Sequence, residues 1–148
     1  MSGPAFEAAT LAPGAAEGAP LKLDEPLSFW GGFDPTTGAI VDRRHPQCGA
    51  RVAGRVLLMP AGRGSSGGSA ILAEALRRGA GPAAVLILER DAIIVVGALV
   101  AAELYGLGCP VALARQDDWE ALAAATRLSV RAESDRAMIR AEAADGPA

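Results

Sequence analysis

Two adjacent serines, Ser65 and Ser66, sit inside the run Gly62-Arg63-Gly64-Ser65-Ser66-Gly67-Gly68-Ser69, between the apolar Val56-Leu57-Leu58-Met59 and the apolar-striped segment 70–78. The pattern reads as a buried strand, a glycine-rich turn and a helix. The first N–H groups of a helix have no partner within it, and the helix dipole is positive at that end. Glycines let a bound group come close to the backbone. The chemistry on offer is therefore attraction of an anion: a carboxylate, a phosphate or a developing alkoxide.

The same residues carry rival readings. Gly62, Gly64 and Gly67 satisfy G-x-G-x-x-G after a strand and before a helix, and Glu89 closes the next strand where a ribose-binding acid is expected. That is the pattern of a dinucleotide- or anion-binding module. Against it, antiparallel strands precede this unit and too little chain follows for both halves of a dinucleotide fold. A phosphate-transferring P-loop needs a lysine where Gly68 stands. A purely structural reading is also open, in which Ser65 or Ser66 caps the helix and the glycines serve packing. Arg63 is either a cation that steers an anionic substrate into the turn or a solvated charge. His45, before Pro46 in a loop, is either a site or interface residue or a hydrogen-bonded structural imidazole. Trp30 and Trp119 read as packing anchors or interface residues.

The elements that must position the turn follow from periodicity. Residues 1–20, rich in Ala, Gly and Pro, show neither helical nor strand periodicity, so 1–24 is expected to be a disordered lead-in, with 21–23 a short edge strand at most. Residues 27–30 read as a strand ending at Gly31-Gly32. The turn chemistry of Asp34-Pro35-Thr36-Thr37-Gly38 then returns the chain into 39–41 as a hairpin. After the serine turn, Ile71, Leu72, Ala75 and Leu76 share a helix face, and Gly79, Gly81 and Pro82 end that helix. The continuously apolar 84–88 is a strand covered on both faces of a parallel sheet, which gives a βαβ unit. Asp91 can cap a helix over 98–105, with the β-branched 93–96 either helical or extended. A third buried strand at 110–113, a helix over 119–125 and a hairpin of 128–131 with 137–140 complete an α/β domain spanning 25–142, with 143–148 a flexible tail.

Composition bounds the function. With 148 residues and 51% of them hydrophobic, one core and one domain are expected. A net charge of −3 gives no basic face, and Arg43, Arg44 and Arg51 are the only candidate cluster, without interleaved aromatics, so nucleic acid is not an expected partner. The longest apolar run, 92–102, is too short to cross a bilayer. Cys48 and Cys109 stand in unrelated contexts without metal-ligand spacing, and no basic segment precedes an apolar one near Met1; a cytoplasmic protein holding no metal by itself is expected.

A longer series of motifs points further. Pro26-Leu27-Ser28-Phe29-Trp30-Gly31-Gly32-Phe33-Asp34, Thr37-Gly38, Asp42, His45-Pro46, Gly49, Gly54-Arg55-Val56 and Gly62-Arg63-Gly64-Ser65-Ser66 follow one another in this order, and Gly97-Ala98, Ala101-Ala102-Glu103-Leu104 and Pro110-Val111 continue the series. The chain in this respect resembles the small subunits of the aconitase X dehydratases, over about residues 26–140. Gly64-Ser65-Ser66 is also similar to the G-S-S-R segment in the swivelling domain of ordinary aconitases, with Gly67 at the arginine position. The resemblance implies a swivelling β/β/α domain, a βαβ core flanked by antiparallel hairpins. It implies a large aconitase X subunit as partner, in a heterodimer or higher heteromer, with the iron–sulfur cluster held by that partner and none by this chain. The implied activity is a hydro-lyase that is inactive without the partner and removes water from a small anionic hydroxy acid. The expected substrate is cis-3-hydroxy-L-proline, giving 1-pyrroline-2-carboxylate, with phosphomevalonate as the alternative. Carried over residue by residue, Ser65 is the proton-abstracting base. Arg63, Gly64, Ser66, Gly67 and His45 are then the candidate substrate-binding positions.

Overall fold

The computed structural model describes residues 3–142, which form one mixed sheet of eight strands in the order β2-β7-β8-β1-β6-β5-β4-β3. The strands are β1 (Ala5–Ala12), β2 (Gly14–Gly18), β3 (Pro20–Lys22), β4 (Val56–Met59), β5 (Ala84–Ile87), β6 (Val111–Leu113), β7 (Arg127–Ala132) and β8 (Arg136–Glu142). The helices are α1 (Phe29–Gly32), α2 (Gly68–Arg77), α3 (Ala92–Tyr105) and α4 (Trp119–Ala124). β3, β4, β5 and β6 run parallel, and β1, β8, β7 and β2 continue the sheet antiparallel.

The two ends of this sheet, β2 and β3, are joined by Ala19 alone, so the sheet must curl until its ends meet. Its parallel half and its antiparallel half then face each other. Val56, Leu58, Ala84, Leu86 and Ala112 of the parallel strands pack with Leu128, Val130, Ala137, Ile139 and Ala141 of the hairpin in one core cluster, joined by Trp119 and Leu122 from α4. The alternate residues Leu57, Met59, Val85, Ile87 and Val111 point the other way, into a second cluster with Leu72 and Ala75 of α2 and Ile94 and Ala98 of α3. The layers are sheet, sheet, helices, the β/β/α arrangement expected. Burial on both faces is why β4 and β5 read as unbroken apolar runs rather than as alternation.

Two elements differ from the sequence reading. Residues 3–19 of the expected lead-in are not disordered: β1 lies between β6 and β8 in the middle of the sheet, β2 pairs with β7, and only Met1 and Ser2 fall outside the described residues, while the short edge strand expected at 21–23 is present as β3. Their composition hid them because most inward positions are small. Ala8 and Ala16, partly buried, pack against the inner cluster beside Phe6, and alanine at these positions leaves no strong apolar alternation to read. Residues 27–30 are not a strand either. Leu27 makes a single parallel bridge to Gly62, and the chain then kinks through α1, with Gly31 at φ 84°. The Leu27 N–H donates to Met59 Sδ at 3.1 Å, and Leu27, Phe29, Phe33 and Ile40 fill the end of the helix-side core, with the two phenyl rings edge to face at 5.1 Å.

The remaining expectations hold in outline. The Asp34 carboxylate accepts from Thr36 N–H at 2.8 Å, closing the turn and lowering the Asp34 pKa, although only the bridge Phe33–Ile40 survives of the hairpin. Residues 93–96 are helical. The Asp91 carboxylate accepts from Ile94 N–H at 2.9 Å and starts α3. The proposed tail 143–148 lies outside the described residues.

Candidate functional site at the serine turn

β4 delivers the chain to Pro60 at the end of the parallel strands, and the turn runs from there into α2. Gly64 has φ 101°, a conformation that L side chains rarely adopt. Ser65 and Ser66 follow, both exposed, and α2 opens at Gly68 with Gly67 as its cap residue and no side-chain cap. Ser65 Oγ accepts a hydrogen bond from Gly67 N–H at 3.2 Å, and the Ser65 carbonyl accepts from Gly68 N–H at 2.9 Å. The Ser66 carbonyl accepts from Ser69 N–H at 3.2 Å. The first donors of the helix are thus drawn into the turn itself, and one of them points at the Ser65 hydroxyl. Such a bond is shorter and stronger when the acceptor is ionised, so this N–H together with the helix dipole favours the alkoxide of Ser65. The Ser66 side chain does not cap the helix.

Each glycine of the motif marks the close approach of one side chain. A methyl group on Gly62 would collide with the Asp91 carboxylate, and one on Gly64 with Ser28 Oγ and Cβ. One on Gly67 would stand 2.7 Å from Trp30 Cε3. Ser28 in turn donates from Oγ to the Trp30 carbonyl at 3.0 Å, holding the segment before α1 along the turn. These contacts also weigh against a dinucleotide. The space beside Gly62 that a pyrophosphate would need holds a carboxylate, while Glu89 lies exposed in the loop beyond β5.

The other sequence candidates fall into two groups. Arg63 lies at the turn, half exposed, 4.0 Å from Glu25 Oε1. His45 is buried, with 5% of its surface accessible. Its Nδ1 accepts from Gln47 N–H at 3.0 Å, which leaves the proton on Nε2 to donate to the Glu25 carbonyl at 3.0 Å. Both ring nitrogens are committed to backbone. His45 therefore reaches the turn through Glu25, whose carboxylate faces Arg63, rather than by its own ring. Ser28, Trp30 and Asp91 are the neighbours of the turn's glycines that sequence reasoning missed. The glycine spacing signalled that something approaches, and only the fold says what.

Among the described residues no three of His, Cys, Asp and Glu gather where they could hold a metal ion. Cys109 is buried, with Sγ 3.7 Å from the Pro82 carbonyl, and burial pushes its thiol up to about 12; Cys48 is exposed in the loop after Pro46. Thiolates bind iron–sulfur clusters, so a buried, protonated thiol and a lone exposed one do not fit such a group. No helix among the described residues is long and apolar enough to cross a membrane.

Comparison with known proteins gives this geometry a family. The model described as the aconitase X swivel domain matches residues 5–140. A cis-3-hydroxy-L-proline dehydratase of Pseudomonas aeruginosa is 47% identical over 103 residues, 70% of this chain but 18% of that protein. A phosphomevalonate dehydratase small subunit of Methanopyrus kandleri is 46% identical over 80 residues, 54% of this chain and 59% of that one. The chain thus spans about a fifth of the length of the hydroxyproline dehydratases it matches and well over half of the small subunit. Among solved structures, the holo-form of Thermococcus kodakaraensis aconitase X aligns with a TM-score of 0.73 and 29% identity over 93% of this chain and 98% of that chain. With the family model covering nearly every described residue, the N-terminal strands included, the chain belongs to the aconitase X swivel domain family.

Proposed function

We propose that this chain is the small, swivelling subunit of a two-subunit dehydratase, and that Ser65 is the base that removes the proton beside the substrate carboxylate. The observation that carries the reading is the Ser65 hydroxyl. It is exposed on an open face, receives the Gly67 N–H and stands at the positive end of α2. An exposed turn offers one wall of a site, so the other wall belongs to a partner that the domain closes over. Relatives named as small subunits support the same division of labour. The iron–sulfur cluster of the family is assigned to that large partner, since the residues here do not fit it, and the complex is assigned to the cytoplasm.

For cis-3-hydroxy-L-proline the chemistry balances simply. The Ser65 alkoxide takes the C2 proton and becomes the hydroxyl, the C2–H electron pair forms the C2–C3 double bond, and the C3–O bond breaks with its pair on the departing hydroxide, which takes the proton back from Ser65 to leave as water and restore the alkoxide. The enamine then tautomerises to 1-pyrroline-2-carboxylate. Ser66 and the backbone of Gly64 and Gly67 bind the carboxylate in this reading, Arg63 draws the anion in, and His45 positions Glu25 behind Arg63.

The test is turnover of the assembled complex with both substrates under identical conditions. The expected result is dehydration of cis-3-hydroxy-L-proline with kcat/KM at least about a hundredfold above that for phosphomevalonate, about 2.7 kcal/mol of transition-state discrimination. Preference for phosphomevalonate reverses the substrate assignment, and activity on neither removes the dehydratase reading.

A further inference from the structure

We propose that the indole of Trp30 is the wall against which the substrate's ring ammonium rests, and that it selects an amino acid over a phosphorylated hydroxy acid. This inference rests on the dehydratase reading above and adds a specificity-determining residue to it. Trp30 is 57% exposed, although Phe29 beside it is buried in the core. The exposure is built in by the backbone: Trp30 at φ −80°, ψ 106° and Gly31 at φ 84° break the helix there, and the Ser28 hydroxyl ties down the Trp30 carbonyl. The ring edge lies against Gly67, in the volume that any side chain at position 67 would take. Gly67 is two residues from Ser65, at most about 7.6 Å along the chain.

The charges around the turn agree. Its one arginine, Arg63, has the Glu25 carboxylate at 4.0 Å, and the Asp91 carboxylate sits against Gly62, so two acids stand beside one base. That neighbourhood is a poor host for a phosphate dianion. It suits a substrate carrying its own cation, and an indole face is the best aromatic partner for one, within about 6 Å of the ring. In cis-3-hydroxy-L-proline the ammonium is bonded to C2, the carbon whose proton Ser65 removes, so a group that touches Ser65 with its C2 hydrogen brings its cation to the neighbouring wall.

The test uses the assembled complex with Trp30→Leu and Trp30→Phe, and two competitive inhibitors: L-proline, whose ring nitrogen is cationic, and tetrahydrofuran-2-carboxylate, whose ring is uncharged. Trp30→Leu is expected to raise KM for cis-3-hydroxy-L-proline and Ki for L-proline by roughly 5- to 30-fold, the range for a cation–aromatic contact as it becomes desolvated. Its kcat is expected to fall less than threefold, and Ki for the uncharged acid to stay within twofold. Trp30→Phe, which keeps an aromatic face and disturbs folding less, should lie between wild type and Leu. Equal shifts for both inhibitors, or none for L-proline, overturn the inference while wild-type turnover of hydroxyproline leaves the dehydratase reading standing. Wild-type turnover of phosphomevalonate alone overturns the inference and reverses the substrate assignment, and turnover of neither substrate removes the dehydratase reading itself.

Discussion

Ser65→Ala is expected to lower turnover of the assembled enzyme by about a hundredfold or more, the usual contribution of a positioned general base. The stability cost should be small. The substitution removes one exposed hydrogen bond, Ser65 Oγ to Gly67 N–H, worth about 0.5–1.5 kcal/mol, which corresponds to a few degrees in Tm for a chain of this size. The turn itself persists, because the Ser65 and Ser66 carbonyls still accept from Gly68 and Ser69. Ser66→Ala removes a side chain that caps nothing, so its Tm should stay within about half a kcal/mol of wild type. Its effect should fall on KM through the lost carboxylate ligand. Measuring Tm and kcat for both variants separates the roles. A Ser65→Ala complex that melts early yet turns over normally per folded molecule makes Ser65 a structural residue and moves the base to the partner.

Gly62→Ala should damage the turn's frame. The added methyl would overlap the Asp91 carboxylate, which is committed to the Ile94 N–H at the start of α3. Either the carboxylate leaves, forfeiting a helix cap worth about 0.5–2 kcal/mol, or the turn shifts at an overpacking cost of about 1–3 kcal/mol. A loss of about 0.5–3 kcal/mol in denaturant unfolding is expected, with turnover of the assembled complex reduced because Ser65 rides on the displaced segment. Asp91→Ala alone should cost about 1 kcal/mol as a lost cap. In the double variant the methyl meets empty space, so the two losses should fall short of additive by about the loss of Gly62→Ala alone. Strict additivity would mean that Gly62 is small for some reason other than Asp91.

The turn and the parallel unit around it were legible because each rests on local chemistry. Unbroken apolar runs give β4 and β5, a striped segment bounded by glycines gives α2, and Asp91 ahead of an apolar run offers a cap for α3, although the β-branched 93–96 left its first turn open. β1 and β2 were not legible. Ala8, Ala9, Ala15 and Ala16 have no strand preference of their own, and their hydrogen bonds come from β6, β7 and β8, more than a hundred residues away in sequence. Residues 27–30 have the composition of a strand, but the chain kinks at Trp30 and Gly31, where the indole lies against Gly67 of the turn. For the site the same division holds. The spacing of Gly62, Gly64 and Gly67 announced close approaches, whereas Asp91, Ser28 and Trp30 as the approaching groups emerge only from the folded chain.

The central claim is that this chain supplies one half of a site that a second subunit completes. Titrating it into a fixed amount of its large partner while following dehydration of cis-3-hydroxy-L-proline tests that claim most directly. The rate should be undetectable for either subunit alone, rise linearly with added chain and level off at one equivalent, with Ser65→Ala competing for the same partner without restoring turnover. Full dehydration by the large subunit alone, or a rate that Ser65→Ala restores as well as wild type does, would contradict it.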